Sequence, residues 1–184
     1  MDNTYMDNTF DFLIGEEGRA VTCCFTGHRP AKLPWGYDES APGCAALRLM
    51  LADAVADAYR DGFRRFLCGM AMGGDIYFGE AVVALRDERP DVTLTAVIPF
   101  DGQERGWPAS WQKRYFDLSV ECDSRVCLHS AYTAGCMMER NRWMVDRSRR
   151  LIAAYSGAPG GTKNTVLYAG GQGLDIVRLP LLYM

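Results

Sequence analysis

The stretch Arg64-Arg65-Phe66-Leu67-Cys68-Gly69-Met70-Ala71-Met72-Gly73-Gly74-Asp75 decides how the chain folds. Its apolar run, Arg64 to Cys68, reads as a strand. The chain then passes through Gly69, Gly73 and Gly74 directly into Asp75 to Arg89, whose spacing reads as a helix. A strand that turns through glycines into a helix is the building unit of parallel α/β domains. The turn also has the mechanics of an anion cradle, because glycines let backbone N–H groups converge and the helix start adds partial positive charge. It lacks the Gly-Lys-Ser/Thr of a phosphate loop and the strict dinucleotide fingerprint. The alternative is a loop whose glycines serve only for turning, with Asp75 as the helix N-cap.

The same alternation extends outward in both directions. Strands are expected at Val21 to Phe25, Val92 to Ile98, Arg125 to Leu128, Arg150 to Tyr155 and Asp175 to Leu179. Helices are expected at Pro42 to Asp61, Pro108 to Glu121, Gly135 to Arg147 and Thr162 to Ala169. Right-handed crossovers between such strands imply an α/β, Rossmann-like, doubly wound and mostly parallel sheet with helices on both faces. Ligands of such sheets sit beyond the carboxyl ends of the strands, where the strand order reverses. The loop leaving each strand is therefore a place to look for site residues.

The totals fit that reading. The chain has 184 residues, 48% hydrophobic and 23% charged, enough for one domain with its own core. Residues 20–184 are expected to form that domain. Residues 1–19 repeat Met-Asp-Asn-Thr at positions 1 and 6 and read as a disordered or loosely ordered leader. They lack the basic start and apolar run of a signal peptide. A net charge of −3 argues against nucleic acid as a partner, and no apolar run is long enough to span a membrane. The seven cysteines form no Cys-x-x-Cys pair, and their odd number points to reduced thiols in a cytoplasmic protein. No metal site is expected, Cys127 reading as a buried free thiol.

Five loops carry the candidate chemistry. After the first strand, Gly27 permits close approach, His28 can donate or act as an acid, and Arg29 can clamp a phosphate or pair with a carboxylate of the domain. After the second come Gly69, Met70, Gly73, Gly74 and Asp75. After the third, Pro99 leads to Phe100, Gln103, Glu104 and Trp107. The rings can stack on a base and the polar groups can bond to base or ribose, or the segment is a surface loop with Trp107 as a packing plug. After the fourth, Arg140 and Asn141 share a helical face with Met137, Met144 and Val145, which points them inward; a surface salt bridge of Arg140 to Asp146 or Glu139 is the alternative. After the fifth, Gly160, Gly161 and Thr162 form a second glycine turn into a helix carrying Asn164 and Thr165.

Thr26-Gly27-His28-Arg29-Pro30, the Gly69 to Asp75 loop, Val97-Ile98-Pro99-Phe100, Arg140-Asn141-Arg142 with Met144-Val145-Asp146, and Gly160-Gly161-Thr162 with Asn164-Thr165 occur in that order. Together they resemble the YpsA-like family of the SLOG superfamily, which unites the DprA/Smf and LOG Rossmannoid proteins. The resemblance implies a nucleotide or nucleotide-derived ligand such as ADP-ribose or a nucleoside phosphate, bound or sensed without a settled reaction. It also suggests a homodimer by analogy. The LOG branch hydrolyses the N-glycosidic bond of nucleoside monophosphates with a Glu three positions after its loop Thr; here Thr165 stands there. An N-glycosidase reading therefore falls back on Asp75, Glu80 or Glu104 as the acid, and no cofactor is implied with certainty. A third reading is a protein-interaction module with a vestigial pocket.

Overall fold

In β1 (Thr22–Gly27) successive side chains alternate between two cores: Cys23 and Phe25 enter one, Cys24 the other. That is the two-residue period of a strand buried on both faces. The computed structural model describes residues 15–181. The alternation recurs in β2 (Arg65–Cys68), β3 (Thr93–Ile98) and β5 (Arg150–Ala154), where Leu67, Val97, Leu151 and Ala153 face the second core and their neighbours the first. With β4 (Ser124–Cys127) and β6 (Asp175–Leu179) these strands form one sheet in the order β4-β3-β2-β1-β5-β6, every pairing parallel.

Helices α2 (Pro42–Arg60), α3 (Gly74–Glu88) and α4 (Ala109–Glu121) cover the first core with Leu47, Leu51, Val55, Ile76, Phe78, Trp111 and Leu118. Phe25 stacks on Phe78 with centroids 4.7 Å apart. Helices α5 (Cys136–Asp146) and α6 (Gly161–Gly171) cover the second with Met144, Val145, Val166 and Ala169. Strands that step one way across a sheet place their helices on one face, and strands that step back place them on the other. The fold is the expected Rossmann-like doubly wound domain, and the sheet is parallel throughout. Element ends fall within two residues of expectation. Cys127, expected to be buried, is exposed, because β4 is an edge strand whose outer side meets solvent.

Of the leader expected at residues 1–19, residues 1–14 lie outside the described residues. Just beyond, Glu16–Ala20 form a short helix, α1. Arg19 Nε donates to Ser148 O at 3.0 Å, and the Thr22 hydroxyl donates to Gly18 O at 2.7 Å. A five-residue helix is too short to show a 3.6 periodicity, which is why sequence pattern left it out. Among the described residues no helix is long and apolar enough to cross a membrane.

The strand order reverses between β1 and β5. The helix after β1 lies on one face and the helix after β5 on the other, so a crevice opens between their carboxyl ends. The β2–α3 loop closes its base. Gly73 is central there: φ is +95°, and a Cβ would lie 2.8 Å from Pro30 Cδ and 2.9 Å from His28 O. Gly62 has nearly the same φ, +96°, with nothing within 4 Å of its would-be Cβ. Gly62→Ala should therefore cost only backbone strain, about 1 kcal/mol, while Gly73→Ala adds a clash and should cost at least about 2 kcal/mol. Denaturant midpoints for the two variants, at unchanged m, check the difference.

Candidate functional site

The crevice at the switch point is a cavity of ≈ 290 Å³ lined by Thr26, Gly27, His28, Arg29, Ala31 and Lys32 from the β1 side. Gly161 and Thr162 line it from α6, Met137, Arg140 and Asn141 from α5, and Ala71 and Asp75 from the β2–α3 region. Three cations, Arg29, Lys32 and Arg140, face one carboxylate, Asp75. The first N–H groups of α6 have no acceptor within their own helix, and no side chain caps them. The positive end of that helix therefore opens on the cleft.

His28 organises the rim. Its N–H donates to Ala154 O at 3.2 Å and its carbonyl accepts from Gly74 N–H at 3.2 Å, tying β5 and α3 to β1. Its ring is almost wholly buried. Nε2 accepts from Ser156 N–H at 3.3 Å and lies 3.1 Å from Ser156 Oγ. An Nε2 that accepts leaves the proton on Nδ1, which faces Thr162 Oγ1 at 3.3 Å. The Thr162 hydroxyl in turn donates to Gly27 O at 3.1 Å. Burial, and then the nearby Lys32 ammonium, push the His28 pKa below its ordinary value, so the neutral ring fits. Lys32 Nζ donates to Pro159 O at 3.3 Å, holding the β5–α6 loop from the other side.

The inner wall is a buried ion pair, Arg140 Nη1 to Asp75 Oδ2 at 3.4 Å. Ala71 N–H also donates to Asp75 Oδ2 at 3.2 Å. Burial drives the Asp75 carboxyl up and the Arg140 guanidinium down, and each partner's charge opposes the shift in the other. A Cβ on Gly69 would overlap the Arg140 guanidinium, so this position has room only for glycine. Arg140 Nε is buried without a hydrogen-bond partner. Asn141 Nδ2 donates to Thr165 Oγ1, which donates to Gly161 O, both at 2.8 Å, fastening α5 to the start of α6.

The structure thus brings Gly27, His28, Arg29, Asp75, Arg140, Asn141, Gly161 and Thr162 into one cleft, with Gly160 beside Lys32 and Asn164 exposed on the next turn of α6. Gly69, Met70, Gly73 and Gly74 are buried beneath it. Their expected role as an open anion cradle is corrected: Pro30 and the His28 carbonyl cover Gly73, so the loop packs against the β1 turn. Gln103 braces the same loop, its Nε2 donating to Met70 O at 3.2 Å and Gly69 O at 3.4 Å. Pro99, Phe100, Glu104 and Trp107 do not line the cleft. Phe100 packs edge-on to Tyr132 and Trp107 to Tyr115. Glu80 is likewise corrected as a site acid, because it faces away from the cleft and pairs with Arg114 and Arg48. Sequence reasoning missed Lys32 and Ser156; Lys32 comes three residues after Arg29, and a short 3-10 turn at Pro30–Lys32 carries it into the rim.

The model of the YspA SLOG family matches residues 23–169. The chain is 29% identical over 117 residues to the uncharacterized SPbeta prophage-derived protein YoqJ of Bacillus subtilis, covering 57% of this chain and 68% of that one. It is 22% identical over 161 residues to a UPF0398 protein of Bacillus pumilus, covering 86% and 84%. The fold resembles DNA processing protein A of Streptococcus pneumoniae, with a TM-score of 0.57 at 16% identity, over 88% of this chain but only 51% of that one. The Helicobacter pylori protein of the same name, described by its single-stranded DNA binding mode, gives a TM-score of 0.58 at 16% identity over 92% and 68%. The matched stretch runs from the first strand into the last helix, and the chain belongs to the YspA SLOG family.

Proposed function

We propose that the switch-point cleft binds a nucleotide or nucleotide-derived ligand such as ADP-ribose or a nucleoside phosphate, in the cytoplasm. The observation that carries the reading is the convergence of Arg29, Lys32 and the uncapped start of α6 on one cavity beside a single buried carboxylate. A helix N-terminus flanked by cations is receptive to phosphate without further machinery. The Asp75 carboxylate offers an acceptor for a sugar hydroxyl at the inner end. The seven cysteines are all free, which suits a reducing compartment.

Isothermal titration against ADP-ribose, NAD and nucleoside monophosphates tests the reading. At least one should bind, and flat traces for all overturn it. Lys32→Ala should weaken that binding about tenfold, the worth of one charge-assisted contact at a partly exposed rim. A single-stranded oligonucleotide in the same experiment separates this reading from one borrowed from DNA processing protein A. Incubation with nucleoside monophosphates and chromatography for free base reports whether Asp75 supports N-glycosidase chemistry.

The His28 latch adds a pH dependence. Its folded pKa lies below the unfolded value of about 6.5, so the unfolded chain holds more protons in the window between them. The stability contribution is complete above about pH 6.5 and is lost as pH falls through the lowered folded value. Denaturant melts at about pH 7.5 and about pH 5.5, on either side of that unfolded value, should show a larger loss for the wild type than for His28→Gln; equal losses would remove His28 as the cause.

A further inference from the structure

Two residues beyond β5, exposed Ser156 places Oγ 3.1 Å from His28 Nε2. The tautomer of that ring is fixed by its surroundings: Nε2 receives the Ser156 amide, so its lone pair faces the serine, and Nδ1–H points at Thr162 Oγ1. Thr162 cannot hand that proton back, because its own hydroxyl proton lies on Gly27 O. The result is a directed chain of hydroxyl, imidazole and fixed acceptor, the arrangement of a nucleophile, its base and an orienting group. Ala158 N–H donates to Ser156 Oγ at 3.4 Å, which orients the hydroxyl oxygen. Lys32 and the start of α6 line the cleft that His28, the hydrogen-bond partner of Ser156, also lines.

We propose that Ser156 and His28 form a hydrolytic pair that cleaves a carboxylic ester carried by a phosphate-bearing alcohol, with Thr162 as the positioning residue for the imidazole. Ser156 Oγ attacks the ester carbonyl while its proton passes to His28 Nε2. Collapse of the tetrahedral adduct breaks the bond to the alcohol oxygen, which leaves with that proton. Water, deprotonated by Nε2, then attacks the acyl-serine and releases the acid, and the proton returns to Ser156 Oγ. Ester and water are consumed, and acid and alcohol are produced. A threonine oxygen orients the ring but gives the imidazolium no countercharge, so turnover should be slow and acylation easier to detect than steady-state hydrolysis. Only the choice of a phosphate-bearing substrate rests on the anion-binding reading; the hydrolytic pair stands on its own distances.

The test is labelling of the full chain with a neutral fluorophosphonate, then peptide mapping, alongside hydrolysis of p-nitrophenyl acetate. Labelling should map to Ser156 and vanish in Ser156→Ala. It should slow at least about a hundredfold in His28→Gln, the usual contribution of a general base. Thr162→Val should move the acid limb of the pH–labelling profile, and Thr162→Ser should restore it, which a merely structural role would not do. Thermal melts show that each variant is folded. Absence of labelling in the folded wild type, labelling mapped elsewhere, or Ser156→Ala hydrolysing the ester at the wild-type rate would overturn the proposal. Labelling at Ser156 together with flat calorimetric traces for every nucleotide would sustain the hydrolytic pair while overturning the anion reading and, with it, the phosphate-bearing substrate.

Discussion

A guanidinium and a carboxylate, Arg140 and Asp75, meet in the interior and join the two helical layers across the carboxyl edge of the sheet. Asp75 belongs to the first turn of α3, over one core, and Arg140 to α5, over the other. Each ion loses its water on burial at a cost of several kcal/mol, so neither is tolerable without the other. The pair therefore fixes the first turn of α3 against the body of α5, and Gly69 supplies the gap through which the guanidinium passes. The cleft exists because these helices are held apart at a set distance on opposite faces of a doubly wound sheet.

Above that pair, the rim is stitched by groups of a single residue. His28 bonds with its main chain to β5 and to the start of α3, and with its ring to Ser156 and Thr162. A neutral imidazole does this without adding charge. The cations Arg29 and Lys32 are left at the edge, where Arg29 donates to the Met137 sulfur and Lys32 to a backbone carbonyl. Weakly engaged cations over an uncapped helix start make a local positive patch on a chain whose net charge is −3. Electrostatics here is a property of the cleft, not of the molecule as a whole.

Similarity to DNA processing protein A at 16% identity concerns architecture. A doubly wound sheet hosts many chemistries, and what separates them is the equipment of the switch point. In this chain that equipment is an ion pair below, a tautomer-locked histidine beside a serine above, and a helix start between them.

By itself the sequence determined the strand–helix alternation and the doubly wound sheet, because two-residue and 3.6-residue apolar periods are local properties of the chain; the family was legible separately, from the resemblance of its ordered loop motifs. It also pointed to His28, Arg29, Arg140 and Thr162, each of which comes after a strand and so falls on the carboxyl edge whatever the packing. Only the tertiary structure decided which glycine turn faces solvent. Gly73 and Gly160 both turn into helices, but Pro30 and the His28 carbonyl fold down on the first, while the second meets only the Lys32 ammonium and the Gly161 that follows it is open. It likewise turned Glu80 outward onto Arg114, and brought Lys32 and Ser156 to the rim from segments far apart in sequence. Exposure and pairing depend on what the rest of the chain places nearby, and no local pattern encodes that.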